Sequence, residues 1–276
     1  MDDGKNAYLT RSIAAPDEFA EVFSHFYVAE NHTGEPIHKI LVPSFQTILV
    51  CSFGAPLALT TSPHRTLLIN KVSILGPVKQ PLHYTLPPGA EMLVVNFRSD
   101  GFFRFFGKAL QELRPSDPDD LLRDNCFAEL WETLRPMTSM DERISRILAF
   151  ARPYVRPQDA LIAQLDEMRK ENIQGSPVKE MAGRSGQTKR NIQLKHRQRL
   201  GYSVKELTRY ERFLKALELV GRQISAGHKK VDWFDIIHDC GYYDQSQLIH
   251  DFRHYLGLSP TRYLKVQKDI CLVRPS

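Results

Sequence analysis

The sequence predicts an α+β multidomain chain: an N-terminal antiparallel β-barrel with trailing helices, then an all-α half. Three observations predict it. Between residues 25 and 98, short runs of Val, Ile, Leu and aromatics (HFYVAE, IHKILV, QTILVCSF, PLALTT, RTLLIN, VSILG, PLHYTL, EMLVVNF) recur at spacings near ten residues, separated by Pro, Gly, Asn or Ser. That is the pattern of a barrel or sandwich. Beyond about residue 101 the apolar spacing becomes helical. The charge changes with it: residues 1–156 hold 16 Lys and Arg against 18 Asp and Glu, a net of −2, whereas residues 157–276 hold 21 against 14, a net of +7.

The elements follow in order. Residues 16–24 (PDEFAEVFS) read as a short amphipathic helix opened by Pro16 and Asp17. After the strands, GFFRFFGKALQEL, FAELWETLRPM and SMDERISRILAFARPYV have helical periodicity, with DPDDLLRDN as a connector. Pro153 and Pro157 end the series. A domain boundary there gives 1–153 and 157–268, since the prolines, the structural class and the charge all change together. The second part reads as helices over 157–171, 177–184, 188–200, 204–224, 231–239, 245–256 and 260–268. Ser203 followed by Glu206 has the form of a capping box opening the long central helix.

Composition narrows the function. With 42% apolar and 25% charged residues in 276, two ordinary hydrophobic cores are expected. No run approaches the roughly 20 apolar residues of a membrane span, and the start MDDGKNAYLT lacks a secretion pattern, so a soluble cytoplasmic protein is expected. Cys51, Cys126, Cys240 and Cys271 are far apart and read as reduced thiols, with neither a zinc nor a disulfide pattern. Asp117, Asp119, Asp120 and Asp124 lack the Gly and closing Glu of a calcium loop and read as a solvated acidic turn.

The helical half contains an internal repeat. Ala182 and Gly186, four apart, answer Ile237 and Gly241, the small-residue and turn-glycine spacing of a helix-turn-helix. At an offset of 56, Thr188 answers Asp244 as a cap, Ile192 answers Leu248, His196 answers Phe252, Gly201 answers Gly257, and Ser203 answers Ser259. Agreement at so many structurally meaningful positions identifies two helix-turn-helix units, 177–200 and 231–256, joined by one long helix. In the second, Leu248, Phe252 and Tyr255 make one greasy side and leave the donor-rich residues on the others. His196 reads as a packing residue.

The stretch DIIHDCGYYDQSQLIHDFRHYLGLSPTRY resembles the second helix-turn-helix of the AraC/XylS family of bacterial transcription regulators. The match is carried by Ile237, Gly241-Tyr242, Asp244-Gln245-Ser246-Gln247-Leu248, Phe252 and Gly257-Leu258-Ser259-Pro260-Thr261-Arg262-Tyr263. The first unit fits through Arg190, Ile192 and Gly201, and the linking helix through Arg209, Arg212 and Ala216. It departs at Leu194, where an Arg is usual, and at His196, where an aromatic is usual. Upstream, GPVKQPLHYTLPPGAEMLVVNFRSDGFFRFFG is similar to a cupin-like N-terminal domain of some members. His25, His32, His38, His64 and His83 are scattered without an HxH and following Glu, so the usual metal set of such barrels is missing and neither metal nor cofactor is expected. Phe45, Phe53 and Tyr84 read as core.

The resemblance implies a non-enzymatic, sequence-specific DNA-binding transcription regulator. Its second helices would enter the major groove, where base edges are distinguishable. The expected contacts are Lys189, Arg190, Gln193 and Arg197 on the first helix, and Gln245, Ser246, Gln247, His250 and Arg253 on the second. Arg suits guanine and Gln suits adenine, while other contacts hold phosphates. A linking helix of about 20 residues spans roughly 30 Å, near the ~34 Å between successive major grooves. The expected partner is double-stranded DNA. A small-molecule effector at the N-terminal domain, a second copy of the chain and RNA polymerase are further candidates, and no membrane is expected. The alternative is a cupin-type small-molecule-binding protein or enzyme whose helical domain makes protein contacts; stoichiometric iron, manganese or zinc would favour it.

Overall fold

Nine antiparallel strands in two sheets form the N-terminal half of the computed structural model, which describes residues 7–61, 65–110, 116–122, 125–170, 177–227 and 230–266. The expectations for His64, Asp124 and Cys271 fall outside those residues. The strands are β1 (Tyr8–Ala14), β2 (Phe23–Asn31), β3 (Ile37–Leu41), β4 (Ile48–Gly54), β5 (Leu57–Thr61), β6 (Arg65–Ile69), β7 (Val72–Leu75), β8 (Leu82–Leu86) and β9 (Ala90–Phe97). One sheet runs β1-β2-β9-β4-β7 and the other β3-β8-β5-β6.

Alternation along the central strands places the cores. Tyr27 and Ala29 of β2, Ile48 and Val50 of β4, and Met92 and Val94 of β9 face the second sheet, meeting Leu57, Leu59, Leu82, Tyr84 and Leu86. Their sequence neighbours Phe26, Val28, Leu49, Cys51, Phe53, Leu93 and Val95 point the other way. A sheet buried on both faces needs apolar residues at successive positions, which is why QTILVCSF and EMLVVNF lack a polar alternation. The second face is covered by α1 (Gly101–Phe106), α3 (Cys126–Leu134) and α4 (Met140–Ala151), through Phe102, Phe106, Phe127, Trp131 and Ile144. The short α2 (Pro118–Leu122) precedes α3, and both oxygens of Asp119 accept from the backbone N–H groups of Phe127 and Ala128, at 2.7 and 2.9 Å. That member of the acidic turn is a structural cap.

Two local expectations change. The helix read at 16–24 is only a 3-10 turn at Asp17–Phe19, because Phe23 already pairs with Phe97 in the sheet and leaves too few residues for a helix. The helix beginning at Gly101 stops at Phe106, since Gly107 turns left-handed (φ 67°) and the Arg156 guanidinium lies 3.1–3.3 Å from where a Cβ would stand.

The helical half comprises α5 (Ala160–Lys170), α6 (Pro177–Ser185), α7 (Lys189–Leu200), α8 (Val204–Ser225), α9 (Trp233–Asp239), α10 (Gln245–Leu256) and α11 (Pro260–Val266). Both sides of the Ser203–Glu206 capping box form, with the Ser203 N–H donating to Glu206 Oε2 at 2.7 Å and the Glu206 N–H to Ser203 Oγ at 3.1 Å. The core of this half gathers Ile192, Leu200, Leu207, Phe213, Leu217, Ile236, Leu248 and Phe252 around α8, and it takes in Val42 and Phe45 from the loop between β3 and β4. Phe45 stacks on Tyr210 (ring centroids 4.6 Å) and meets Tyr202 and Tyr255 edge-on. The Tyr210 hydroxyl donates to the Pro43 carbonyl, and Lys79 pairs with Glu206 at 3.1 Å. Phe45 was expected in a core, and the core it joins is that of the other half.

Candidate nucleic-acid interface

The two helix-turn-helix units are built on one frame. Thr188 caps α7 by accepting from the Asn191 N–H, and Asp244 caps α10 by accepting from the Gln247 N–H. Gly201 and Gly257 end the two helices in the left-handed region (φ 78° and 69°), and their N–H groups donate to Arg197 and Arg253 carbonyls. At Gly201 a side chain would also strike Leu110 and Pro77 at 3.0 Å, so this turn is fixed by a close approach of the N-terminal half.

Helical spacing then sorts the side chains. Ile192, His196 and Leu200 bury one side of α7, and Leu248, Asp251, Phe252, Tyr255 and Leu256 bury one side of α10. Lys189, Arg190, Gln193 and Arg197 are all exposed, as are Gln245, Ser246, Gln247, His250 and Arg253. Gln193 from α7 and Gln247 and His250 from α10 line one groove of about 670 Å³, floored by Lys205, Thr208, Arg209 and Arg212 of α8. The polar sides of the two helices therefore open towards the same side of α8. Among the described residues, Lys189, Arg190, Arg197 and Arg253 make no ion pair, while Lys195 and Arg199 are drawn to Asp159 at 2.8 and 3.4 Å. Five of the twelve residues of α7 are cationic, and the free ones are the three expected at the interface plus none of those turned towards α5.

The units are anchored differently. In the first, the His196 ring nitrogen Nδ1 lies 2.9 Å from the Tyr202 carbonyl, and burial lowers the pKa of this imidazole. The neutral ring, with Nδ1–H donating, fits that contact. Its helix end is tied to the N-terminal half: the Leu110 N–H donates to the Gln198 carbonyl at 3.0 Å, and the Arg199 guanidinium covers the Phe103 ring at 3.6 Å. In the second unit the fully buried Asp251 holds the linking helix. Arg209 Nε donates to Asp251 Oδ1 at 2.7 Å and Arg212 approaches Oδ2 at 3.4 Å. Arg209 also lies 2.7 Å from His250 Nδ1, and Arg212 sits 4.3 Å above the Tyr242 ring. These two arginines are structural partners of α10.

Sequence reasoning did not single out Asp251. The signal was present: a carboxylate three residues after Leu248 and one before Phe252 stands on the greasy side of the helix, where it needs a buried cation.

Residues 228–265 match the model for bacterial regulatory helix-turn-helix proteins of the AraC family. No curated protein matches the sequence. Among solved structures, ToxT from Vibrio cholerae is similar at 14% identity over 94% of this chain and 98% of its own, with a TM-score of 0.43. ToxT from Vibrio cholerae strain SCE256 with an unsaturated fatty acid bound is similar at 10% identity over 96% and 97%, TM-score 0.43. An RmlC-like cupin protein from Desulfovibrio desulfuricans is similar at 8% identity over 35% and 87%, TM-score 0.27. The family match thus falls on the second unit and coincides with the residues that carried the resemblance.

Proposed function

We propose, starting from the AraC-type helix-turn-helix of residues 228–265, that the chain is a non-enzymatic, cytoplasmic bacterial regulator that sets α7 and α10 into successive major grooves of promoter DNA. The observation that carries this reading is the common opening of both polar helix sides across α8. α8, 22 residues long, is the frame that carries both helices, α7 through the turn before its start and α10 through Asp251 on Arg209 and Arg212. Lys189, Arg190, Gln193 and Arg197 would serve one groove, and Gln245, Ser246, Gln247, His250 and Arg253 the next. The division into residues 1–153 and 157–268 assigns DNA reading to the second part and effector binding or self-association to the first. No helix among the described residues is long and apolar enough to cross a membrane.

A route for effector control exists at the junction. A cleft of about 460 Å³ lies between Lys79 and Pro77 of the N-terminal half and Arg209 and Tyr255 of the helical half, a size suited to a small ligand. A ligand there would bear on α8 and α10 together.

Affinity for the protein's own upstream DNA, measured by anisotropy across a salt series, tests the reading. It should fall steeply with salt, as neutralised phosphates release counterions. Arg253→Ala should weaken binding while leaving the thermal unfolding of the protein unchanged. No complex at low salt, or one indifferent to both salt and sequence, overturns it.

A further inference from the structure

The exposed side of α7 is cationic and polar except at its centre. Leu194 is 50% exposed there. It lies two positions from both buried Ile192 and buried His196, which at about 100° per residue puts it about 160° from each and so at the crest of the helix. Arg190, four residues before it, and Arg197, three after, flank it on the same side. Asn191 and Gln198 complete the surround, and α7 contains no Asp or Glu. At the offset of 56 the matching position in α10 is His250, whose Nδ1 lies 2.7 Å from Arg209 of α8, so the two units differ at this point. A lone exposed Leu is ordinary on a protein surface, but this one tops the helix that carries the free arginines.

From this placement we infer that Leu194 is a specificity-determining contact, reading the C5-methyl group of a thymine near the middle of the site bound by α7. The inference rests on the DNA-reading function proposed above. Of the four bases only thymine offers an apolar group in the major groove. An aliphatic side chain gains nothing from phosphate or from the other base edges, and its crest position leaves it facing the groove floor while Arg190 and Arg197 reach guanine edges or backbone on either side. Arginine at this position would select a donor-accepting base instead, so Leu194 changes which sequence is read and not only how tightly.

The test uses the full chain. A bound site is selected from random DNA, and each thymine in it is replaced singly by uracil, which removes only the methyl. One position in the α7 half should weaken binding about four-fold, the worth of burying one methyl-sized group. With Leu194→Ala the thymine and uracil duplexes should bind equally. Leu194→Met should keep the thymine preference, and Leu194→Arg should move it towards guanine. If no thymine-to-uracil change affects binding, or if Leu194→Ala retains the same sensitivity, the inference is overturned while DNA reading stands. Failure to select any site overturns the DNA reading and the inference with it.

Discussion

The two helix-turn-helix units share caps, turn glycines and register, yet they differ in what holds each recognition helix. The second is fastened to the linking helix: Asp251, fully buried, joins α10 to Arg209 and Arg212 of α8. The first is held locally by His196 on the Tyr202 carbonyl and further by Asp159 in front of α5, by Leu110 and by Phe103, the last two in the N-terminal half. α10 is thus held on the linking helix chiefly by a buried carboxylate, whereas the end of α7 is held in addition by contacts to the N-terminal half.

The largest effect is expected at Phe45, whose ring meets Tyr202 just after the first unit, Tyr210 of α8 and Tyr255 of the second unit. Phe45→Ala should cost about 3–5 kcal/mol, the range for removing a buried Phe, and its urea unfolding curve should show the helical half losing stability together with its contact to the N-terminal half. A loss within experimental error would mean that the aromatic cluster of Tyr202, Tyr210 and Tyr255 holds without it.

The anchors themselves come next. Asp251→Ala strands two partly buried guanidinium groups and should cost about 2–3 kcal/mol, below the value for a fully buried pair because both arginines keep some water. Asp159→Ala, whose partners are more open, should cost about 1 kcal/mol or less. Equal losses at the two positions would erase the distinction between a buried and a more open fastening.

The smallest effect concerns pH. His196 occupies the position that Phe252 holds in the second unit, and burial lowers its pKa from the ordinary 6.5. A histidine depressed in the folded state binds its proton more readily when unfolded, so its contribution is fully present above about 6.5 and is lost as pH falls from there through the lowered folded value. His196→Phe should therefore gain on the wild type progressively as pH drops below that point, as followed by urea midpoints. A difference independent of pH would place the titration elsewhere.

Much of this architecture was legible because helix ends write themselves in single residues. Thr188, Asp244, Ser203 with Glu206, Gly201 and Gly257 stand at the caps they suggest, and the 3.6-residue spacing of Leu248, Phe252 and Tyr255 marks the buried side. The strand β1 was missed because YLTRSIA lies at a sheet edge with most of its residues in water, so neither an apolar run nor strict alternation betrays it. Asp251 and Phe45 were hidden for another reason. Their partners lie about 40 and more than 150 residues away, and pairing at that distance leaves no local pattern. The exposure of the nine expected DNA contacts follows from helical spacing, but the common direction of the two sets depends on α8 and needed the fold.

One chain is proposed to read two successive grooves with two helices. Methylation-interference footprinting on a selected site, at a measured ratio of chains to duplex, tests it most directly. The account predicts two major-groove patches about 10 base pairs apart on one side of the duplex for each bound chain, with Arg197→Ala weakening one patch and Arg253→Ala the other. A single patch per chain, or one patch lost to both substitutions, would contradict it.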